Sequence, residues 1–229
     1  MTAAAKAGTG GRIPEQYFWN GKRVPFFVPW STEQPLPAKL VHRPGPGGIA
    51  LGYQDEIPGD RFRDVLWVRM SMGQGNGRPD MPGVHALRQR RCINHFMCQV
   101  CGRPTERRDG RYLFLMHAAG GRAISEGERT QTPPVHVKCA RESVRDCPHL
   151  RESSTAALVE HAPIWGVAGI EYNPHTLAPR EPLGNENRPK LTEVAYEDHS
   201  RIAWIKAARE VISLHGVTEV DLSDVGLAA

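Results

Sequence analysis

Cys98-Gln99-Val100-Cys101-Gly102, answered by His136-Val137-Lys138-Cys139, is the pair of runs that decides the architecture of this chain. Each run holds two ligand-type side chains three residues apart, so four thiol and imidazole groups in two pairs can close a tetrahedron around one ion. Thiolate and imidazole are soft or borderline donors, which select Zn²⁺ over Mg²⁺ or Ca²⁺. Cys98, Cys101, His136 and Cys139 are the predicted ligands and Zn²⁺ the predicted cofactor. Gly102 supplies the positive φ that lets the knuckle turn its backbone amides toward the thiolates. His136 is the one ligand with rivals, Cys147 and His149, and its spacing from Cys139 favours it.

Working outward, residues 84–97 have helical composition, with Arg88, Arg90 and Arg91 among Leu87, Ile93 and Phe96, so a helix delivers the chain to the knuckle. Residues 111–116 read as a strand between the turn signals Asp109-Gly110 and Gly120-Gly121, which predicts a hairpin. Pro133-Pro134 stops the loop after it, and residues 139–147 read as a helix ended by Pro148. Knuckle, hairpin and ligand-bearing helix, in that order over residues 92–150, are the order of a treble-clef zinc finger. Cys147 shares a helical face with Ala140 and Val144, as a small buried hydrophobe would. Cys92, His95, Cys147 and His149 nevertheless form a second set competent for zinc, provided the two helices meet.

This segment resembles the HNH nucleases, which share a Cys-x-x-Cys knuckle, a hairpin and a Cys-bearing helix. The resemblance implies a strand histidine that activates water beside a phosphate-bound Mg²⁺, and His117, after Leu113-Phe114-Leu115-Met116, falls near the place of that base. No Asn stands between the knuckle and His136, and Ala140 follows Cys139 where such nucleases often carry His. The likeness therefore implies fold more than activity. Cys-Gln-Val-Cys-Gly, then Pro-Pro-Val-x-x-x-Cys-Ala and Cys147-Pro148-His149-Leu150, also resembles a group of uncharacterised actinobacterial and actinophage proteins. Those carry a paired-Cys second half where this chain has His136, and the resemblance implies a structural metal in a non-catalytic, HNH-like frame.

The chain has 229 residues, 40% hydrophobic and 24% charged, which suits a soluble globular protein with a core of its own. No apolar run approaches the roughly 18 residues of a spanning helix, and residues 1–12 lack a signal-peptide core. A cytoplasmic protein without a membrane partner is predicted, with residues 1–12 as a tail and 13–229 as a single α+β domain. Five cysteines grouped around the ligand pattern argue for reduced, metal-bound thiols. Arg outnumbers Lys 23 to 6, as a GC-rich bacterial or phage genome would give.

Net charge is +4, but residues 61–151 carry 17 Lys and Arg against 8 acids, and residues 152–229 carry 6 against 12. The zinc segment is the basic part. Arg88, Arg91, Arg107, Arg108 and Arg111 are the predicted phosphate-contacting set, with DNA or RNA as the favoured partner. A protein partner meeting the acidic C-terminal part is the adaptor alternative, and a divergent HNH-like nuclease using His117, or another small enzyme, is the catalytic one.

Elsewhere, Tyr17-Phe18-Trp19 and residues 24–30 flank Asn20-Gly21, a dipeptide suited to a type I′ turn, so a hairpin is predicted there. Its aromatics suit either a core or a base-stacking platform. Residues 35–46 read as a Pro-rich extended connection, 65–68 as a buried strand and 73–83 as a loop. Residues 156–159, 165–172 and 217–222 read as strands and 174–189 as a polar loop. A helix over 199–215 is predicted from Asp198 as cap, Ile202, Ile205, Ala208 and Ile212 on one face, and Gly216 as terminator.

Overall fold

The computed structural model describes residues 14–45, 47–105, 109–181 and 190–225. The predicted tail, Arg107 and Arg108, and residues 182–189 of the polar loop lie outside the described residues. In chain order the strands are β1 (Tyr17–Trp19), β2 (Lys22–Val24), β3 (Leu40–Gly45), β4 (Gly48–Tyr53), β5 (Arg61–Phe62), β6 (Val65–Trp67), β7 (Tyr112–His117), β8 (Arg129–Thr130), β9 (Ser154–His161), β10 (Ile164–Glu171), β11 (Thr192–Ala195), β12 (Ile205–Ser213) and β13 (His215–Glu219). The helices are α1 (Ala86–Asn94), α2 (Val137–Asp146), α3 (Pro148–Glu152) and α4 (His199–Ile202). The fold is a mixed one of helices and strands.

β1 and β2 form the predicted hairpin, with Asn20 at φ 49° and Gly21 at φ 72° as a primed turn requires. The Pro-rich connection is corrected over its second half: Leu40–Gly45 is a strand, paired antiparallel with β4. Proline is tolerated at Pro44 because β3 has β4 as its one ladder partner among the described residues, so the missing N–H breaks no second ladder.

The larger sheet runs β11-β10-β12-β6-β5, with β8 also on β12; β12 is antiparallel to β10 and parallel to β6. The predicted helix over 199–215 is therefore wrong beyond its first turn. Asp198 does cap, accepting from the Arg201 amide, but α4 ends at Ile202 and the chain becomes the sheet's central strand. Ile205, Ala207 and Val211 are fully buried there, and Glu210 and Ile212 with them. A strand covered on both faces carries apolar residues without strict alternation, and such a run imitates a helical stripe. Gly216, the predicted helix terminator, instead lies inside β13 at φ 65°, and β13 begins two residues earlier than the predicted strand.

A second sheet runs β13-β9-β7. It removes the hairpin expected between the two ligand pairs: β7 pairs with β9, and the next strand, β8, pairs with β12 instead. The two sheets are joined through α1. Gln89 lies on the helix face toward β12, donating to Glu210 O at 2.9 Å and accepting from Glu210 N at 2.9 Å. That bond pair completes an interior strand's backbone hydrogen bonding and so sets where α1 hands the chain to the knuckle.

Candidate metal centre and the groove beside it

α1 stops at His95, the chain reverses at Phe96 with φ 47°, and the knuckle follows as a miniature hairpin. Met97 bridges Pro104, Cys98 N donates to Arg103 O at 2.7 Å, and Gly102 N returns to Cys98 O at 2.8 Å. Gly102 adopts the predicted positive φ, 66°, and a Cβ on it would come within 2.7 Å of the Phe26 ring. The knuckle thus needs glycine both for its turn and for its close approach to the N-terminal segment.

The second ligand pair arrives on α2, with His136 at its N-cap and Cys139 in its first turn. One ligand atom from each of Cys98, Cys101, His136 and Cys139 lies within 4.8 Å of the other three, and all three thiols are buried. His136 Nδ1 stands 3.3 Å from Cys101 Sγ, while Nε2 is 3.0 Å from Pro104 O. Nε2 therefore carries the proton and donates to that carbonyl, which leaves the Nδ1 lone pair for a metal, as in metal-bound histidines fixed by an outer hydrogen bond. The donor set and its spacing fit one tetrahedral ion with no ligand position left for substrate.

Crowding these groups together splits their proton affinities. Cys139 and Cys98 hydrogen-bond to the Cys101 sulfur and hold its pKa far below the usual thiol range, helped by His136 and the Arg103 amide. The same contact with Cys101 drives the Cys139 pKa up, and thiolate contact with Cys101 and then Cys98 pushes His136 up to about 10. Four donors competing for protons at one point are what a single cation resolves.

The second predicted metal set does not assemble. Among the described residues the Cys3His group is the one cluster of three or more metal-ligating side chains within bonding reach. Cys92 is sealed in a pocket with Phe26 and Met97, its thiol pKa pushed up to about 12 by burial. His95 is exposed at the end of α1, whereas Cys147 at the α2–α3 junction and His149 in α3 line the groove with His117. The two correctly spaced pairs are not brought within bonding reach of one another, and so they make no site.

Arg88 is a correction to the phosphate-contacting set. It is buried, bonded through both terminal nitrogens to the Glu33 carboxylate at 2.6 Å and to Val28 O at 2.8 Å. Burial alone would raise the pKa of Glu33, but the Arg88 hydrogen bonds, the Trp30 amide and the Arg88 charge outweigh it and leave the carboxyl lowered. This ion pair ties the N-terminal segment to α1, and its burial keeps the Arg88 guanidinium from a phosphate. Arg91 is exposed and Arg111 half-buried.

His117 closes β7 on the surface, its ring 6.4 Å from that of His149 and nearly perpendicular to it. It stands at one end of a groove of about 680 Å³ between the β1–β2 hairpin, the knuckle, β7 and the α2–α3 pair. Trp19, Val24, Phe27, Val100, Met116 and Leu150 give the groove apolar walls. Two contacts hold the hairpin against α2 across it: Arg23 to Glu142 at 2.9 Å and Lys22 to the Asp146 carbonyl at 3.1 Å. Of the predicted aromatic cluster, Phe26 and Trp30 are core, while Phe18 is 58% and Trp19 39% exposed. The groove had no signature in sequence, because it is assembled from segments up to 131 residues apart, from Trp19 to Leu150.

No helix among the described residues is long and apolar enough to cross a membrane. No protein-family model, no curated protein and no solved structure matches this chain, and a reading of its function rests on the side chains just described.

Proposed function

We propose that this protein is a zinc-stabilised binding module without catalytic activity, in which Zn²⁺ on Cys98, Cys101, His136 and Cys139 fixes the walls of the groove. The observation that carries the reading is the closed ligand set: three buried thiols and an oriented imidazole that would together fill the four positions of a tetrahedral ion. The metal then has a structural task, locking the knuckle to the start of α2; Gln99 and Val100 of the knuckle and Glu142, Ser143 and Asp146 of the second half of α2 line the groove. A volume of about 680 Å³ is in the range of small-molecule sites, and apolar walls with few polar groups are their usual composition. His117 fits a catalytic base poorly, since no hydrogen bond from a described residue orients its ring.

A second reading, nucleic-acid binding, is favoured by one observation on the β1–β2 hairpin. Arg23 sits over the exposed Phe18 ring at 5.7 Å, beside exposed Trp19, which is a stacking surface with a cation attached. Arg91 and Arg111 remain as candidate phosphate contacts for it.

Elemental analysis of the purified full-length protein tests the first reading, with one zinc per chain expected and a metal-free folded protein sinking it. Titration with single-stranded DNA and RNA at low and high salt tests the second. Affinity that falls steeply with salt supports it, and no binding at low salt removes it.

A further inference from the structure

Leu115 has a backbone that the fold leaves unfinished. Val135 N donates to Leu113 O at 2.9 Å, so the polar groups of Leu113 point away from β9, and with the two-residue period of a strand those of Leu115 do too. Ala118 N, an odd number of residues on, bonds to Ser153 O on the β9 side, as this phase requires. Yet no backbone or side-chain group among the described residues bonds to Leu115 N–H or C=O on the outer edge. Leu115 is only 3% exposed, and a buried residue with both backbone groups unpaired is rare.

Chain chemistry explains the gap. Pro133 and Pro134, just before Val135, have no N–H to offer, and from Val137 the chain is committed to α2. The segment that covers Leu113 therefore cannot extend along β7 in either direction. The uncovered edge faces the groove: Leu115 packs with the core around the thiols and Met116 with the opposite core, yet both line the groove, which is the property of a strand seen edge-on.

We propose that the groove binds a flat, uncharged and mainly apolar heterocycle through a lactam edge, an N–H beside a C=O. The ligand carbonyl accepts from Leu115 N–H, and its N–H donates to Leu115 C=O. In an extended residue these two groups lie side by side, the spacing that strands use to exchange paired bonds. Trp19, Phe27 and Met116 supply apolar surface for the ring faces. A peptide strand is the weaker occupant. Val135 already covers Leu113 and β7 ends at His117, so the pairs at Leu115 and His117 are all a peptide gains there.

This inference rests on the groove being the binding site of the zinc-stabilised module, and the experiment separates the two. Zinc-loaded, full-length, ¹⁵N-labelled protein, with its zinc measured in the same sample, is titrated with quinolin-2(1H)-one and with its N-methyl derivative, which lacks the donor. The lactam is expected to shift the Leu115 amide resonance, slow its hydrogen exchange and bind about tenfold or more tighter than the N-methyl compound, because the latter leaves the Leu115 carbonyl unpaired. Equal binding of both compounds in the groove would overturn the lactam edge and leave the binding module standing. No shift at Leu115 with either compound would overturn the inference outright. A capped valine tripeptide that shifts Leu115 and His117 where the lactam does not would assign the edge to strand addition and overturn it as well.

Discussion

The segment around the thiols and the larger sheet each enclose a core, but the two cores are made of different material. Around the knuckle the buried cluster is Cys98, Val100, Cys101, Leu113, Leu115, Val135, Cys139, Ala140 and Ala156. Under β10 and β12 it is Val65, Trp67, Val167, Val194, Ile205 and Ala207, without a sulfur. The second cluster is stabilised by area removed from water, roughly 1.5–3 kcal/mol for each large side chain fully buried. The first contains three thiols that, unless they share an ion, bring little apolar area and conflicting protonation. Two adjacent parts of one fold should therefore fail under different insults.

The largest effect expected from this contrast is on metal removal. A strong chelator, or Cys139→Ser, should withdraw of order 10 kcal/mol of binding free energy from the knuckle. Hydrogen-exchange protection should vanish over residues 98–105 and 137–146 while amides of β10 and β12 keep theirs. Protection lost equally everywhere would show one cooperative unit and erase the distinction between the cores.

The converse insult is steric. A Cβ on Gly169 would stand 2.3 Å from the Lys206 carbonyl oxygen in the neighbouring strand, with no flexible atom to yield. Gly169→Val should cost about 4 kcal/mol in denaturant unfolding, at the high end for single substitutions, with zinc content unchanged. A fall in zinc stoichiometry would mean that the sheet supports the metal centre directly.

A smaller effect sharpens the join between the regions. His85, the N-cap of α1, is 1% exposed; burial first, and then the Arg88 charge, lower its pKa to about 4. The folded state thus keeps His85 neutral, whereas the unfolded chain takes up a proton below about pH 6.5. Stability from this group is complete above pH 6.5 and is lost as pH falls toward 4, by about 3 kcal/mol in all. The stability difference between the native protein and His85→Asn should shrink over that window. A difference independent of pH would show that His85 is protonated in the folded state.

Much of the zinc segment was legible because its signals are local. Cys98 and Cys101, like His136 and Cys139, are placed by one turn each, and Asn20-Gly21 fixes the hairpin between β1 and β2 by its own dihedral preferences. Residues 205–213 were misread because burial on both faces removes the alternation that marks a strand, and both α1, which packs on β12, and its ladder partners β6, β8 and β10 are remote in sequence. The hairpin expected after Asp109-Gly110 failed for a related reason: β7 finds its partner in β9, beyond α2 and α3. Arg88 reads as a surface cation until Glu33, 55 positions away, is seen beneath it. Spacing reveals ligands, whereas a groove or a buried ion pair depends on which distant segments meet.

The position of β12 has a consequence for how the protein is made. β5 with β6, and β10 with β11, are local antiparallel pairs, and β12 is the strand that joins one pair to the other. During synthesis the four thiol and imidazole ligands are complete once Cys139 has left the ribosome, long before residues 205–213 are made. Until then β6 and β10 each present an unpaired edge, the kind of surface that recruits other chains. α1, steadied early by the knuckle that follows it, already carries Gln89 as the receptor for Glu210. A nascent chain starved of zinc would thus meet its last strand without a prepared dock, and the damage would surface as aggregation of the sheet, far from the cysteines that caused it.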